Sequence, residues 1–134
     1  MLHADRLYPA CHPALLAQLP ERRTTLHSER EMDWSHWEVG AAIDVGQRPH
    51  GLNFSDPGLL LDAACDGLGI ALVSRLLAGR ARAEGRLAPL AERSVRGPNW
   101  ACLLHRDSEH DPMARAFYAW LLACLAEDEN ADAR

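Results

Sequence analysis

Nowhere does this chain hold the roughly 20 consecutive apolar residues that a membrane-spanning helix requires. Its first residues, MLHADRLYPACHPALL, lack the basic region, apolar core and small-residue cleavage site of an export signal. A cytoplasmic location is the resulting expectation. Cysteine is scarce: Cys11, Cys65, Cys102 and Cys124 lie far apart and form no CxxC pair. That spacing argues against a disulfide framework and for reduced, mostly buried thiols. Positive charge is the minority, 14 Lys and Arg against 19 Asp and Glu, for a net charge of −5. A general nucleic-acid surface would need a basic stripe instead. The seven histidines include no HExxH pair and no serine sits in a GxSxG elbow, so neither a metal site nor a serine nucleophile is indicated. Cys11 and His12 are sequence neighbours, which does not set a base on a nucleophile. No catalytic residue, cofactor motif, internal repeat or low-complexity segment stands out.

What is present is an alternation of strands and helices. Hydrophobic content of 48% and charged content of 25% are ordinary for a globular protein, and 134 residues suffice for one modest core. From Phe54 to Leu90 the pattern reads strand end, helix, glycine turn, buried strand, helix, glycine stop and short strand, the mark of an α/β fold. Ser55 or Asp56 is placed to cap the first of these helices, with Pro57 in its first turn. Leu59, Leu60, Ala63 and Ala64 recur at helical spacing up to Gly67, whose freedom at positive φ suits a helix stop. Gly67-Leu68-Gly69 follows a helix and precedes a strand, the reverse of a dinucleotide-binding loop, so these glycines should form a turn. Ile70 to Val73 suits a strand buried on both faces. Ser74 can cap the next helix and Gly85 end it, and Leu87 to Leu90 returns as a strand.

Further elements are expected on both sides. Leu7 to Cys11 and Thr24 to His27 read as strands, with a helix from His12-Pro13 to about Gln18. Asp33 can cap a helix bearing Trp34 and Trp37, three apart and thus on one face, core or interface rather than ligand cage. Residues 41–52 should be loop, with a short strand near Ile43–Val45. Ser94 to Asn99, holding Gly97-Pro98, reads as a break between structural units, and Trp100 to His105 as a strand. Asp111-Pro112 opens a helix with an apolar stripe at Met113, Phe117, Trp120, Leu121 and Cys124.

Two junctions are the best candidates for ligand contact. Cys11-His12-Pro13 and Phe54-Ser55-Asp56-Pro57 each carry a strand into a helix, offering small polar side chains and backbone N–H groups at a positive helix end. Were their strands parallel neighbours, both would open on one sheet edge and suit a small anion such as a carboxylate. The competing role for His12, Ser55 and Asp56 is simple capping.

Six segments in register resemble the effector-binding domain of LysR-type transcriptional regulators, in the glycine-cleavage-activator-like subgroup. They are LYPACHPALL (7–16), TTLHSE (24–29), DWSHW (33–37), NFSD…LDAACDGLGIAL (53–72), GRLAPL (85–90) and AFYAWLLACL (116–125). The resemblance implies an α/β fold of the periplasmic-binding-protein type II-like kind. One complete α/β subdomain (1–96) would be followed by a strand–helix segment returning to the first subdomain (97–126) and a frayed acidic tail (127–134). It also implies a small effector, anionic on the argument above, contacting Cys11, His12, Ser55 and Asp56, with Trp100 at the rim. His12 stands where a serine is more usual, a difference that bears on the effector's chemistry. The winged helix-turn-helix of such regulators is not among these residues, so operator binding by this chain alone is not expected. The helix after Asp111 would need a cover, either the rest of the chain or a second copy, so a homodimer or regulator subunit is anticipated. Alternatives are a stand-alone partner of full-length regulators or a solute-binding protein of the same fold.

Overall fold

The computed structural model describes residues 2–18, 23–28, 34, 37, 50–91 and 93–132. They form two compact units, Asp5–Pro98 and Met1–Ala4 with Asn99–Arg134. The larger is built on β1 (His3–Cys11), whose apolar residues alternate between faces as a strand's must. Tyr8 and Ala10 join Ala71 and Val73 in one cluster, whereas Leu7 and Cys11 join Ile70, Leu72 and Val95 in another. Both faces are therefore covered. Helices α1 (Pro57–Cys65) and α2 (Arg75–Ala83) place Leu60, Ala63, Ala64, Ala78 and Ala81 over the first. Trp34 and Trp37, both helical, are buried over the second, and the Trp34 indole N–H donates to the Leu26 carbonyl at 2.8 Å. These two tryptophans are core, as their spacing suggests.

Strand direction decides what the larger unit can bring together. β1 is antiparallel to β4 (Ala71–Ser74) and to β5 (Ala88–Pro89), and it also pairs with β6 (Val95–Trp100). β2 (Thr25–Ser28) and β3 (His50–Phe54) are parallel to each other. A parallel bridge between Thr25 and Ile70 joins them to β4, with Leu26 N–H donating to Ile70 O and Ile70 N–H to Thr24 O, each at 2.8 Å. Hence β2, β3 and β4 run one way and β1 the other.

Local chemistry sets the helix ends. Asp56 caps α1 and Pro57 fills its first turn; Gly67, at φ 79°, ends it. There Gly67 N–H donates to Ala64 O and Leu68 N–H to Ala63 O, both at 3.1 Å, a glycine-stopped helix end. Gly69 serves a different purpose, because a Cβ there would meet Thr24 O at 2.5 Å and prevent the approach of β2. The two glycines are thus a stop and a close contact, as the element order requires. Ser74 caps α2, and Gly85, at φ 74°, follows its end. Glu84 accepts hydrogen bonds from Arg80 at 2.8 Å and Arg86 at 2.9 Å, which hold its carboxyl below the usual range.

Several expectations are corrected. The boundary between the units does fall within Ser94–Asn99, at Pro98, but the segment is mostly strand β6 rather than loop, because Gly97 lets that strand lie against Leu7 and Asp5, 3.1–3.2 Å from where a Cβ would stand. The strand expected from Trp100 to His105 instead ends at Trp100, where Leu2 N–H donates to Trp100 O at 2.7 Å. Residues 101–105 carry no strand hydrogen bonding, and an extended segment needs a partner to become one. The helix after His12 is a 3-10 turn, Pro13–Ala17. The strand near 43–45 and the cap by Asp33 fall outside the described residues.

The smaller unit is dominated by α3 (Pro112–Asp132), started by Asp111, whose carboxylate accepts from Met113 N–H at 3.1 Å. The helix continues through the acidic residues Glu127, Asp128 and Glu129 to Asp132. His3 Nδ1 lies 3.1 Å from the Glu129 carboxylate, within hydrogen-bonding distance.

Candidate functional site

Because β2, β3 and β4 run together, their C-terminal ends share one edge of the larger unit. Ser28, Phe54 and Ser74 close the three strands there, with Ser55 and Asp56 following β3. β1 starts at the same edge, since Leu7 is opposite Ser74. Strand ends that pass into helices are where open α/β sheets hold ligands, so this edge is the candidate site.

Ser55 and Asp56 differ in what they have left to offer. Asp56 Oδ1 accepts from Gly58 N–H at 2.7 Å and from Leu59 N–H at 3.0 Å, while its carbonyl accepts from Leu60 N–H at 3.1 Å. Pro57 has no N–H. The donors of the first turn of α1 are therefore occupied, and the positive helix end already faces a carboxylate of its own chain. A second anion would meet Coulomb repulsion from Asp56, so the physical basis for expecting an anion at this junction is lost. Ser55 is exposed and makes no hydrogen bond among the described residues. Its hydroxyl is the group free to meet a ligand.

Cys11 and His12 are not part of this edge. Since β1 opposes β4, Cys11 lies at the far end of the sheet, and the two junctions do not open together. His12 N–H donates to Ala64 O at 3.1 Å, near the C-terminus of α1, whereas Asp56 caps its N-terminus. Nine helical residues at about 1.5 Å each separate them by about 13 Å. Cys11 is fully buried, and burial pushes its thiol pKa up although Arg23 opposes this. His12 Nδ1 accepts from Ala14 N–H at 3.0 Å, a cap for the 3-10 turn. The first is a core residue and the second a cap. Trp100 belongs to the smaller unit.

The edge also holds a polar residue that sequence reasoning passed over. Asp5 is fully buried, and its carboxylate accepts from the Ser74 hydroxyl, from Arg6 N–H at 2.7 Å and from Leu76 N–H at 3.3 Å. It ties β1 to the start of α2. Ser74 in turn accepts from Leu77 N–H at 3.2 Å, so both side chains are committed to structure. The available signal was strand alternation, which puts Asp5 two residues before buried Leu7 and so on a buried face. Among the described residues, no three His, Cys, Asp or Glu side chains gather as a metal set.

Comparison with known proteins accounts for this architecture. Residues 2–126 match the family described as the LysR substrate binding domain. The chain belongs to that family. The glycine cleavage system transcriptional activator of Escherichia coli (strain K12) is 28% identical over 138 residues, covering 96% of this chain and 45% of that protein. This LysR substrate binding domain chain thus spans about half the length of the curated relatives it matches. The effector domain of AmpR from Pseudomonas aeruginosa superposes with a TM-score of 0.76 at 22% identity, over 99% of this chain and 66% of that one. LysG from Corynebacterium glutamicum, solved with its effector Arg bound, gives a TM-score of 0.58 at 16% identity, over 93% and 44%. At these identities the structures establish the shared fold, the periplasmic-binding-protein type II-like α/β architecture that the sequence motifs imply.

Proposed function

We propose that this chain is a small-molecule effector-sensing module of a LysR-type transcriptional regulator, a binding unit and not an enzyme. The observation that carries the reading is the strand-end edge of β2, β3 and β4, where Ser55 keeps an exposed hydroxyl beside the self-capped start of α1. A hydroxyl next to a carboxylate suits a polar ligand that presents a hydrogen-bond donor, such as a hydroxyl or ammonium group. The LysG structure with bound Arg supports a small polar effector for a protein of this fold. Trp100 is a proposed contact through the family resemblance, whereas Cys11, buried at the far end of the sheet, and His12, which caps the 3-10 turn, are not.

The test is isothermal titration of the chain with a panel of amino acids, amines and hydroxy acids. For a ligand that binds, Ser55→Ala should weaken affinity about tenfold, the worth of one hydrogen bond, without shifting the melting temperature. His12→Asn, which preserves a capping side chain, should leave affinity unchanged. Loss of binding on His12→Asn with none on Ser55→Ala would overturn the assignment.

A further inference from the structure

Positive charge is unevenly placed along this acidic chain. Residues 75–96 hold six of its 14 positive residues and only two acids, a local charge of +4, while the rest, eight arginines against 17 acids, sums to −9. Folding gathers part of this charge on one face of the larger unit. Leu7 is opposite Ser74, so the antiparallel register brings Arg6 beside Arg75, the first residue of α2. Strand alternation puts Arg6 on the side of Tyr8 and Ala10, the side that α2 covers. On β6, Val95 enters the opposite core with Leu7, so Arg96 turns to the same side as Arg6. Arg82 reaches that side from α2, its guanidinium 5.6 Å from the centre of the Tyr8 ring.

The charge there is held in place without being cancelled. Arg6 donates through Nε to the Ser94 hydroxyl and through a terminal nitrogen to the Ser94 carbonyl, each at 2.7 Å, and neither acceptor is an anion. Arg82 rests on a ring rather than an acid, and Arg6, Arg82 and Arg96 are all exposed. At the end of α2 a single carboxylate, Glu84, serves both Arg80 and Arg86. Arg75, Gly79 and Arg82 fall on one flank of the helix, and nothing stands within 4 Å of where a Gly79 Cβ would be, which leaves room for a ligand between the arginines. That flank lacks the apolar anchor of a protein interface: Leu77, the exposed large apolar residue of α2, stands about 200° around the helix from Arg75. A lone small anion would meet one or two exposed guanidiniums in water, where each such pair contributes little. A DNA duplex instead offers one negative charge per about 1.7 Å of its axis, and the seven residues from Arg75 to Arg82 span about 10 Å. Guanidinium forks also match phosphate oxygens.

We propose that the face formed by Arg6, Arg75, Arg82 and Arg96 holds the phosphate backbone of a DNA duplex without reading its sequence. The proposal rests on the regulator reading above only in choosing DNA over RNA, and the ligand titration with its Ser55 variant is untouched by the outcome. The test is fluorescence anisotropy of a labelled duplex with the full chain. At about 50 mM salt the Kd should be on the order of 10–100 µM, rise about tenfold when the salt is doubled, and be the same for a scrambled duplex. Arg82→Gln and Arg96→Gln should each weaken binding about threefold to tenfold and flatten the slope of log affinity against log salt by about one, with circular dichroism unchanged. Arg115→Gln removes an exposed arginine from the smaller unit, changes the net charge equally and should have no effect. Absence of binding at about 500 µM chain would overturn the proposal, since even non-specific contacts should register there. Equal losses for Arg115→Gln and the two test variants would also overturn it. Tighter binding to an RNA duplex or to poly-glutamate would transfer the face to that partner and overturn the assignment to DNA.

Discussion

Asp5 has no exposed surface, and its carboxylate accepts from donors that include the Ser74 hydroxyl and the N–H groups of Arg6 and Leu76. A buried donor left without an acceptor costs about 1–3 kcal/mol, far more than a satisfied bond contributes. Asp5→Ala should therefore destabilise the chain by about 2–3 kcal/mol, read as a lower urea midpoint. Ser55→Ala, at an exposed hydroxyl, should fall within about 0.5 kcal/mol of the parent. A neutral result at Asp5 would mean that water replaces its hydrogen bonds. This pair separates two polar residues of one sheet edge, one that holds the edge together and one free to meet a ligand. Burial makes the difference, and burial is not written in residue type.

At the scale of the elements, the glycines offer a comparison of opposite signs. Gly67 sits at φ 79°, where a Cβ is strained, so Gly67→Ala should lower stability by about 1 kcal/mol. Gly79 lies inside α2 with nothing within 4 Å of where its Cβ would stand. Gly79→Ala should raise stability by about 0.5–1 kcal/mol, because alanine loses less backbone entropy and favours the helix. Thermal melts of the two variants check both signs at once. The stop at Gly67, the caps at Asp56, Ser74 and Asp111, and the helices they delimit were legible in the sequence, since each rests on contacts within a few residues. Less legible was β6: Gly97-Pro98 looks like a break, and it becomes strand because β1 offers a partner and Gly97 admits close contact with Leu7 and Asp5. The opposite error at residues 101–105 has the same origin. An apolar run becomes strand only where another backbone completes its ladder.

For the molecule as a whole, two cores on opposite faces of one sheet set which thiols react. Cys102 is exposed, Cys65 and Cys124 are partly covered, and Cys11 is fully buried with its pKa pushed up by burial. Labelling with a thiol reagent near neutral pH should modify Cys102 first, with Cys11 modified only on unfolding. Raising the pH should not bring Cys11 into range while the fold holds, since that thiol is buried and burial pushes its pKa up. Mass spectrometry of digested samples at successive times checks the order, and early modification of Cys11 would mean that the β1 end opens readily.

The family motifs, the α/β alternation and the helix boundaries follow from local chemistry: side-chain caps, apolar spacing and glycine at positive φ act over a few residues and survive in the order of letters. The direction in which β1 runs does not. It depends on pairing with β4, more than sixty residues away, and that pairing sends Cys11 and His12 to the opposite end of the sheet from Ser55 and Asp56. Two junctions that look alike in sequence thereby become a buried core end and an open strand edge.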